Sequence, residues 1–87
     1  MNIDNYSWNN SIKIYPNPVF DQVVISFPEM LNENTQLSVH NTLGIEVFNT
    51  TLFNTETILD LSHLPKSIYF FKFQTPETIT TKKIIKF

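Results

Sequence analysis

The sequence predicts one all-β domain built from about seven short strands. The 87 residues include no alanine and no arginine but many threonines, isoleucines, phenylalanines and asparagines, a composition that disfavours helices and favours strands. In addition, β-prone runs of about five to nine residues recur at intervals of about 8–12 residues, with turn-forming residues between them. Such spacing is typical of an antiparallel β-sandwich or a small barrel.

The size of the chain requires a dense core. A domain of 87 residues buries only roughly 60% of the surface that its unfolded chain exposes. There is no cysteine to supply a disulfide or a thiolate metal site. We therefore expect the eight phenylalanines, three tyrosines and one tryptophan to provide much of the buried surface.

Charge and hydropathy argue against several classes of function. The net charge is −2 and the six lysines are scattered, so there is no basic face for phosphates and nucleic acid is not an expected partner. No apolar run is long enough to span a bilayer, and the first residues lack the basic and apolar regions of a signal peptide. The protein is therefore cytoplasmic, or the sequence is a piece of a longer chain; the asparagine-rich start favours the second interpretation.

The beginning of the chain predicts a linker and then a short strand. Residues 1–11 are polar and asparagine-rich without periodicity, which indicates a linker. Residues 11–15 alternate polar and apolar side chains and predict the first strand. Pro16 and Pro18 flank Asn17 and cannot donate to a ladder, so we expect a stiff corner at which the chain changes direction.

The middle of the chain predicts four strands. They are residues 22–27, 35–40, 45–51 and 56–61. Asn41, Thr42, Leu43 and Gly44 predict a hairpin turn, in which the only glycine of the chain supplies a positive φ. Residues 62–66 predict the turn into the next strand.

The last two predicted strands include the most apolar run of the chain. Residues 67–75 carry large side chains at both even and odd positions, which predicts an interior strand covered on both faces. Pro76 interrupts the pattern. Residues 78–87 then resume with β-prone side chains, so we expect the chain to end in a strand and not in a tail.

The sequence contains no pattern that predicts catalysis or metal binding. His40 and His63 lie far apart, without a cysteine or carboxylate at ligand spacing. The carboxylates, among them Asp21, Glu46 and Asp60, show no pairing that indicates acid–base chemistry. We therefore expect no enzyme activity, no cofactor and no metal ion.

Four features gain specificity from their order and spacing. They are Tyr15-Pro16-Asn17-Pro18 followed by Asp21, a hairpin through Leu43-Gly44, Asp60-Leu61-Ser62 with Leu64 before an aromatic strand, and a closing Lys82-Lys83-Ile84-Ile85-Lys86. Over residues 12–87 the sequence resembles the C-terminal sorting domain of cargo proteins of the type IX secretion system of Gram-negative bacteria. The Tyr-Pro-Asn-Pro start is similar to that of the type A subclass.

This resemblance implies a fold and a function. Domains of this family are similar to a seven-stranded, immunoglobulin-like antiparallel β-sandwich at the extreme C-terminus of larger exported proteins. The implied function is that of a secretion signal for a fused N-terminal cargo, with residues 1–11 as the linker and residues 12–87 as the sorting domain. The implied partners are translocon and shuttle components and a sortase-like peptidase, which commonly removes the domain at the surface. We expect cleavage within the linker, transit through the periplasm, and cargo at the cell surface or in the medium.

The family's motif residues can be carried over position by position. They are Tyr15, Pro16, Asn17, Pro18, Asp21, Gly44, Tyr69, Lys82, Lys83 and Lys86. One position departs from the family pattern, because members usually have glycine two residues before the tyrosine of the penultimate strand, where this chain has Ser67. Serine does not adopt a positive φ cheaply. Either the backbone is ordinary β at Ser67 or another residue absorbs the turn.

The terminal strand is the predicted recognition surface. A partner could pair with the backbone of its free edge and could bind the carboxylate at its end. We hypothesise that a translocon component binds this surface, which comprises Lys82, Lys83, Ile84, Ile85, Lys86 and Phe87. The lysines have a second explanation, since edge strands carry charge that opposes aggregation. Free edge strands also allow a weak homodimer.

Two other functions remain as alternatives. A carbohydrate-binding or adhesion module of a secreted protein would present exposed, coplanar rings on one face. Phe70, Phe71 and Phe73 with Tyr69 are candidates for it, and Trp8 is the better candidate for an exposed ring. Aromatic residues in the most apolar strand of a small domain are, however, more often core residues. A structural spacer would have chain continuing beyond the last strand, whereas the strand pattern here runs to Phe87.

Overall fold

The structure, a computed structural model, describes residues 12–27, 35–76 and 78–87. The predicted linker, residues 1–11, lies outside the described residues, and so does the ring candidate Trp8. The described ranges form β1 (Lys13–Tyr15), β2 (Gln22–Ser26), β3 (Thr35–His40), β4 (Glu46–Leu52), β5 (Glu56–Asp60), β6 (Ser67–Gln74) and β7 (Ile79–Lys86). Each predicted strand is present, with ends that differ by no more than one or two residues from those predicted.

The strands form two separate sheets. One has three strands in the order β1-β2-β5, and the other has four in the order β4-β3-β6-β7. Every pairing of neighbouring strands is antiparallel. The all-β prediction is confirmed, and the two sheets correspond to the sandwich and not to the barrel that the spacing also allowed.

The core lies between the sheets and follows the alternation of side chains along each strand. Phe71 and Phe73 of β6 are fully buried, as are Val23 and Ile25 of β2 in the other sheet. The rings of Phe27 and Phe73 meet edge to face, with centroids 6.0 Å apart. Packing of rings against branched side chains supplies the dense core that the length of the chain requires.

β6 is an interior strand, as predicted, because it pairs with both β3 and β7. Only one of its faces is fully buried. Ile68 and Phe70 point to the outer face of the sheet, where Ile68 is exposed and Phe70 half-buried. The prediction that both faces of this strand are covered was therefore too strong, since the described strands form two layers and not three.

The β3–β4 turn has the predicted glycine geometry. Gly44 has φ +81°, and its amide donates to the Asn41 carbonyl over 3.0 Å. The Asn41 side-chain oxygen accepts from the amides of Leu43 and Ile45. A side chain with a β-carbon rarely adopts this φ, so glycine is required for the backbone conformation of the turn.

Tyr69 fixes the connection between β5 and β6. Its hydroxyl donates a 2.5 Å hydrogen bond to the carbonyl oxygen of Pro65, while the ring is 3% exposed. Burial raises the pKa of the Tyr69 hydroxyl above its ordinary value. A tyrosine near the start of this strand, bonded to backbone a few residues upstream, is the tyrosine corner of immunoglobulin-like sandwiches.

The strand ends and connections cluster at two opposite ends of the sandwich. The end that we call the entry end contains Ile12 before β1, Phe53 after β4, and the β6–β7 turn. The end that we call the Phe87 end contains residues 16–21, 41–45 and 61–66 and the end of β7. A parallel bridge between Val19 and Lys86 shows that residues 16–21 and the end of β7 lie at the same end of the sandwich. The chain therefore enters the domain and leaves β7 at opposite ends.

Replacing Tyr69 by phenylalanine should lower stability while keeping the fold. The change removes one hydrogen bond to an exposed backbone carbonyl, so we expect a loss of about 1 kcal/mol in the free energy of unfolding and of about 4–8 °C in Tm. Unfolding of both variants by urea and by heat, monitored by circular dichroism, measures the two losses.

The matched control for this change is Tyr15→Phe. The Tyr15 hydroxyl lies 3.4 Å from a Glu56 carboxylate oxygen, and its ring is exposed, so the loss there should stay below about 0.5 kcal/mol. Equal losses in the two variants would contradict a structural role of the bond between Tyr69 and Pro65.

Candidate functional site

The predicted recognition residues lie on the edge strand β7 and point in different directions. Ile84 and Lys86 face the core and are 3% and 7% exposed. Lys83, Ile85 and Phe87 are exposed, and Lys82 is half-buried. Because side chains alternate along a strand, the predicted residues do not form one continuous surface. Their role in recognition stays a prediction.

Lys86 lies largely within the protein. It pairs in register with Ser67 of β6, and its Nζ donates to the Phe87 carbonyl oxygen over 2.9 Å. A lysine can bury its aliphatic stem at low energetic cost when its ammonium group stays hydrated or hydrogen-bonded at the protein surface. Of the three closing lysines, Lys82 and Lys83 are consequently the ones accessible to a partner.

The chain between β1 and β2 covers part of the outer edge of β7. Residues 16–19, which we call the proline corner, follow β1 and lie beside the carboxyl half of β7. The Asn17 side-chain oxygen accepts from the Ile85 amide over 3.0 Å, and its side-chain nitrogen donates to the Lys83 carbonyl oxygen over 3.4 Å. The asparagine amide thus takes the place that a backbone peptide group has in a ladder.

Val19 continues this contact with its own backbone. Its amide donates to the Ile85 carbonyl over 2.8 Å, and its carbonyl accepts from the Phe87 amide over 2.9 Å. The Val19 side chain is fully buried. Both Tyr15-Pro16 and Asn17-Pro18 peptide bonds are cis. The proline corner therefore leaves the three-stranded sheet at Tyr15 and bonds to the four-stranded sheet two to four residues later.

The contacts of the proline corner divide the edge of β7 into a closed and an open stretch. Ile85 directs its amide and carbonyl away from β6, and by alternation so do Ile79, Thr81 and Lys83. In the described part of the chain, the amides of these three residues and the carbonyls of Ile79 and Thr81 have no hydrogen-bond partner. Residues 79–83 are thus an unpaired strand edge, which we call the open edge.

A groove adjoins the open edge. It lies between β1 and β7, encloses about 410 Å³, and is lined by residues 12–15, Asn17 and residues 82–84. Lys13 and Lys83 are exposed at this groove, and Lys82 is half-buried in it. Among the described residues, none forms an ion pair with Lys13, Lys82 or Lys83. The groove therefore combines an apolar floor with lysines that form no ion pair, while the Glu56 carboxylate lies at the hydroxyl of the lining residue Tyr15.

An apolar cluster occupies the Phe87 end. The rings of Phe20 and Phe87 are 63% and 55% exposed and meet edge to face, with centroids 5.4 Å apart. Ile68 of β6 pairs in register with Ile85 of β7, and both are exposed on the outer face of the four-stranded sheet. We call these four residues the apolar tip. Aromatic side chains exposed beside aliphatic ones are the residues that protein interfaces favour.

The exposed rings of Phe20 and Phe87 do not present the coplanar faces of a sugar platform. Between described residues the ring contacts are edge to face, with interplanar angles of 67° for Phe20 and Phe87, 90° for Phe27 and Phe73, and 62° for Phe48 and His63. Phe71 and Phe73 are buried. Two of the three platform candidates thus belong to the core, whereas Phe70 is half-buried on the outer face of the four-stranded sheet.

The remaining motif residues have structural contacts. The Asp21 backbone carbonyl accepts from the Leu61 amide over 2.7 Å. Ser67 is the first residue of β6, and no described residue other than Gly44 has a positive φ. The backbone at Ser67 is ordinary β, so this position does not need the glycine that family members usually have there.

The described residues show no arrangement for metal chemistry. They contain no cluster of three or more His, Cys, Asp or Glu side chains. The backbone amide of Ser62 donates to the Asp60 carboxylate over 2.9 Å, and this bond together with one from the Ser62 side chain holds the pKa of Asp60 below its ordinary value. This carboxylate closes the turn after β5. Within the described ranges no helix has the length and apolar character to cross a membrane.

The fold places the chain among small antiparallel β-sandwich domains. Residues 13–87 match the family described as the secretion system C-terminal sorting domain, and the chain belongs to this family. It is therefore a C-terminal secretion signal for type IX secretion, which implies export to the cell surface or the extracellular medium.

A solved structure has the same fold. The chain is similar to part of PorZ from Porphyromonas gingivalis, described as an essential bacterial surface component of the type-IX secretion system, with a TM-score of 0.75 and 16% identity. The alignment covers 97% of this chain and 12% of that chain, so the chain spans about an eighth of PorZ. No curated protein matches the chain.

Asn17→Ala should open the contact between the proline corner and β7. The Ile85 amide loses its acceptor, so we expect its hydrogen exchange to become faster, while the loss of overall stability stays near 1 kcal/mol because water can replace both bonds. Exchange of individual amides measured by NMR tests this expectation.

Asn17→Asp provides the control, since it keeps an acceptor for the Ile85 amide and replaces the donor to the Lys83 carbonyl by a carboxylate oxygen that repels it. Protection of the Ile85 amide should persist in this variant. If the amide is equally protected in Asn17→Ala, the side chain of Asn17 does not hold the edge of β7.

Proposed function

We propose that the domain acts as a non-enzymatic recognition module that export machinery binds while a fused cargo remains attached upstream. The match of residues 13–87 to the sorting-domain family carries this proposal. Translocon and shuttle components bind the folded domain in the periplasm, and a sortase-like peptidase removes it by cleavage within residues 1–11. The cargo then stays at the cell surface or enters the medium.

The two ends of the sandwich support a division between cargo and machinery. The chain enters the domain at Ile12, at the entry end, whereas the apolar tip and the end of β7 lie at the opposite end. A cargo joined upstream of Ile12 therefore leaves the Phe87 end accessible. Within the predicted surface, Phe87 and Ile85 are exposed there beside Phe20, and we assign the main apolar contact with the machinery to this tip.

Export of a reporter tests this function. A fluorescent protein with an N-terminal periplasmic signal and residues 1–87 at its C-terminus should reach the surface or medium of a bacterium with an intact type IX system. It should stay in the periplasm of a strain without a working translocon. If a folded fusion stays in the periplasm of both strains, the chain shares the fold of the family without its sorting function. An adhesion or spacer function would then be favoured.

Phe87→Ser tests the assignment of the apolar tip. Removing an exposed aromatic anchor of an interface costs about tenfold or more in affinity, so we expect a similar loss of exported reporter. Phe53→Ser is the matched control, because Phe53 is 62% exposed but lies at the entry end. Equal export of the two variants would remove the tip from the recognition surface.

A further inference from the structure

The open edge of β7 is a second candidate binding site, separate from the apolar tip. Three amides and two carbonyls of residues 79–83 point away from β6 without a partner in the described part of the chain. At about 3.4 Å per residue, this stretch is about 14 Å long, close to the length of an ordinary short strand. A row of unpaired backbone groups of this length is a template for strand addition.

The proline corner defines where this template ends. Asn17 occupies the amide of Ile85 and the carbonyl of Lys83, and Val19 occupies the carbonyl of Ile85. An added strand can therefore pair with residues 79–83 but cannot continue toward Phe87. The protein closes one half of an exposed edge with its own chain and leaves the other half unpaired.

The charges beside the open edge select what can pair with it. Lys82 and Lys83 lie within or beside the open edge, and Lys13 lies across the groove. A second copy of this chain that paired through β7 would bring like charges together, which destabilises cross-strand pairs. The lysines thus oppose self-association at this edge, as charged edge strands generally do, and they complement a strand that carries carboxylates.

We propose that the open edge and its groove receive an extended acidic segment of a protein of the secretion machinery, which adds to the four-stranded sheet as a fifth strand beside β7. This inference rests on the proposed sorting function and names the kind of partner. Backbone pairing with Ile79, Thr81 and Lys83 supplies the affinity. Carboxylates that reach the lysines of the groove supply the preference for an acidic sequence.

A synthetic peptide tests the binding mode directly. The probe is the capped peptide Thr-Glu-Val-Glu-Val-Glu-Thr, titrated into isotope-labelled protein of residues 1–87 and followed by NMR. We expect the amide signals of Ile79, Thr81 and Lys83 to shift and their hydrogen exchange to slow. A peptide with lysine in place of each glutamate should bind at least about tenfold more weakly, because like charges meet across the new pair.

Thr81→Pro removes the central donor of the open edge. The Thr81 amide points away from β6, so proline is compatible with this position of an edge strand. Thr81→Val is the matched control, since it keeps the amide and a branched side chain. We expect the proline variant to lose binding of the acidic peptide by about tenfold or more and the valine variant to retain it.

A second pair of variants serves if the proline variant does not fold. Lys82→Gln removes a charge at the groove, and Lys66→Gln removes one from an exposed turn at the Phe87 end. Lys82→Gln should weaken peptide binding about two- to fivefold, the range of an exposed charge pair, while Lys66→Gln should leave it unchanged. Absence of binding, equal binding of both peptides, or shifts that map to β4 or β5 would overturn the inference.

Export of the same variants separates this inference from the sorting function. The reporter that carries Thr81→Pro should stay in the periplasm, and the one that carries Thr81→Val should be exported. If the unmodified reporter is exported and folded Thr81→Pro is exported equally well, strand addition is overturned and the sorting function stands. If the unmodified reporter is not exported in the intact strain, both are overturned.

Discussion

Hydrogen bonds from the proline corner to the edge of β7 tie the two sheets of this domain together. In a β-sandwich, backbone bonds run within each sheet, and only side-chain packing joins one sheet to the other. Here Asn17 and Val19, which directly follow a strand of the three-stranded sheet, bond to the last strand of the four-stranded sheet. These bonds have direction and fixed partners, which apolar packing lacks. A small core without disulfides thereby gains contacts that set the position of one sheet relative to the other.

The same bonds organise the surface on which a partner can act. They protect the end of β7, hold Phe87 beside Phe20, and leave an unpaired stretch nearer the entry end. The proposed recognition residues and the residues that join the two sheets are thus neighbours on one strand. In the proposed strand addition, Lys82 and Lys83 would serve in two ways, since a charge beside an unpaired edge opposes pairing with a second copy and also favours a partner of opposite charge.

Local patterns predicted the strands but not the site. The alternation around β2, the glycine of the β3–β4 turn and the aromatic run of β6 each depend on neighbours in sequence, so the predicted strands agree closely with those of the structure. The apolar residues of Lys82 to Lys86 do not alternate with polar ones, because each face of the strand has one isoleucine. Only the pairing of β7 with β6 shows that Lys86 is buried. Asn17 was recognised as a motif residue, but its partners lie more than sixty residues away. No local signal identifies such contacts.

The arrangement of β1 and β7 also determines how the domain bears mechanical load. Both strands run from the entry end to the Phe87 end, joined by the bonds of Asn17 and Val19. A pull between a cargo upstream of Ile12 and a partner that holds the end of β7 acts along both strands in opposite directions. The connecting bonds lie across this direction, so they are strained together in shear instead of opening one after another. Separation of β1 from β7 under such a pull would require these bonds to break together.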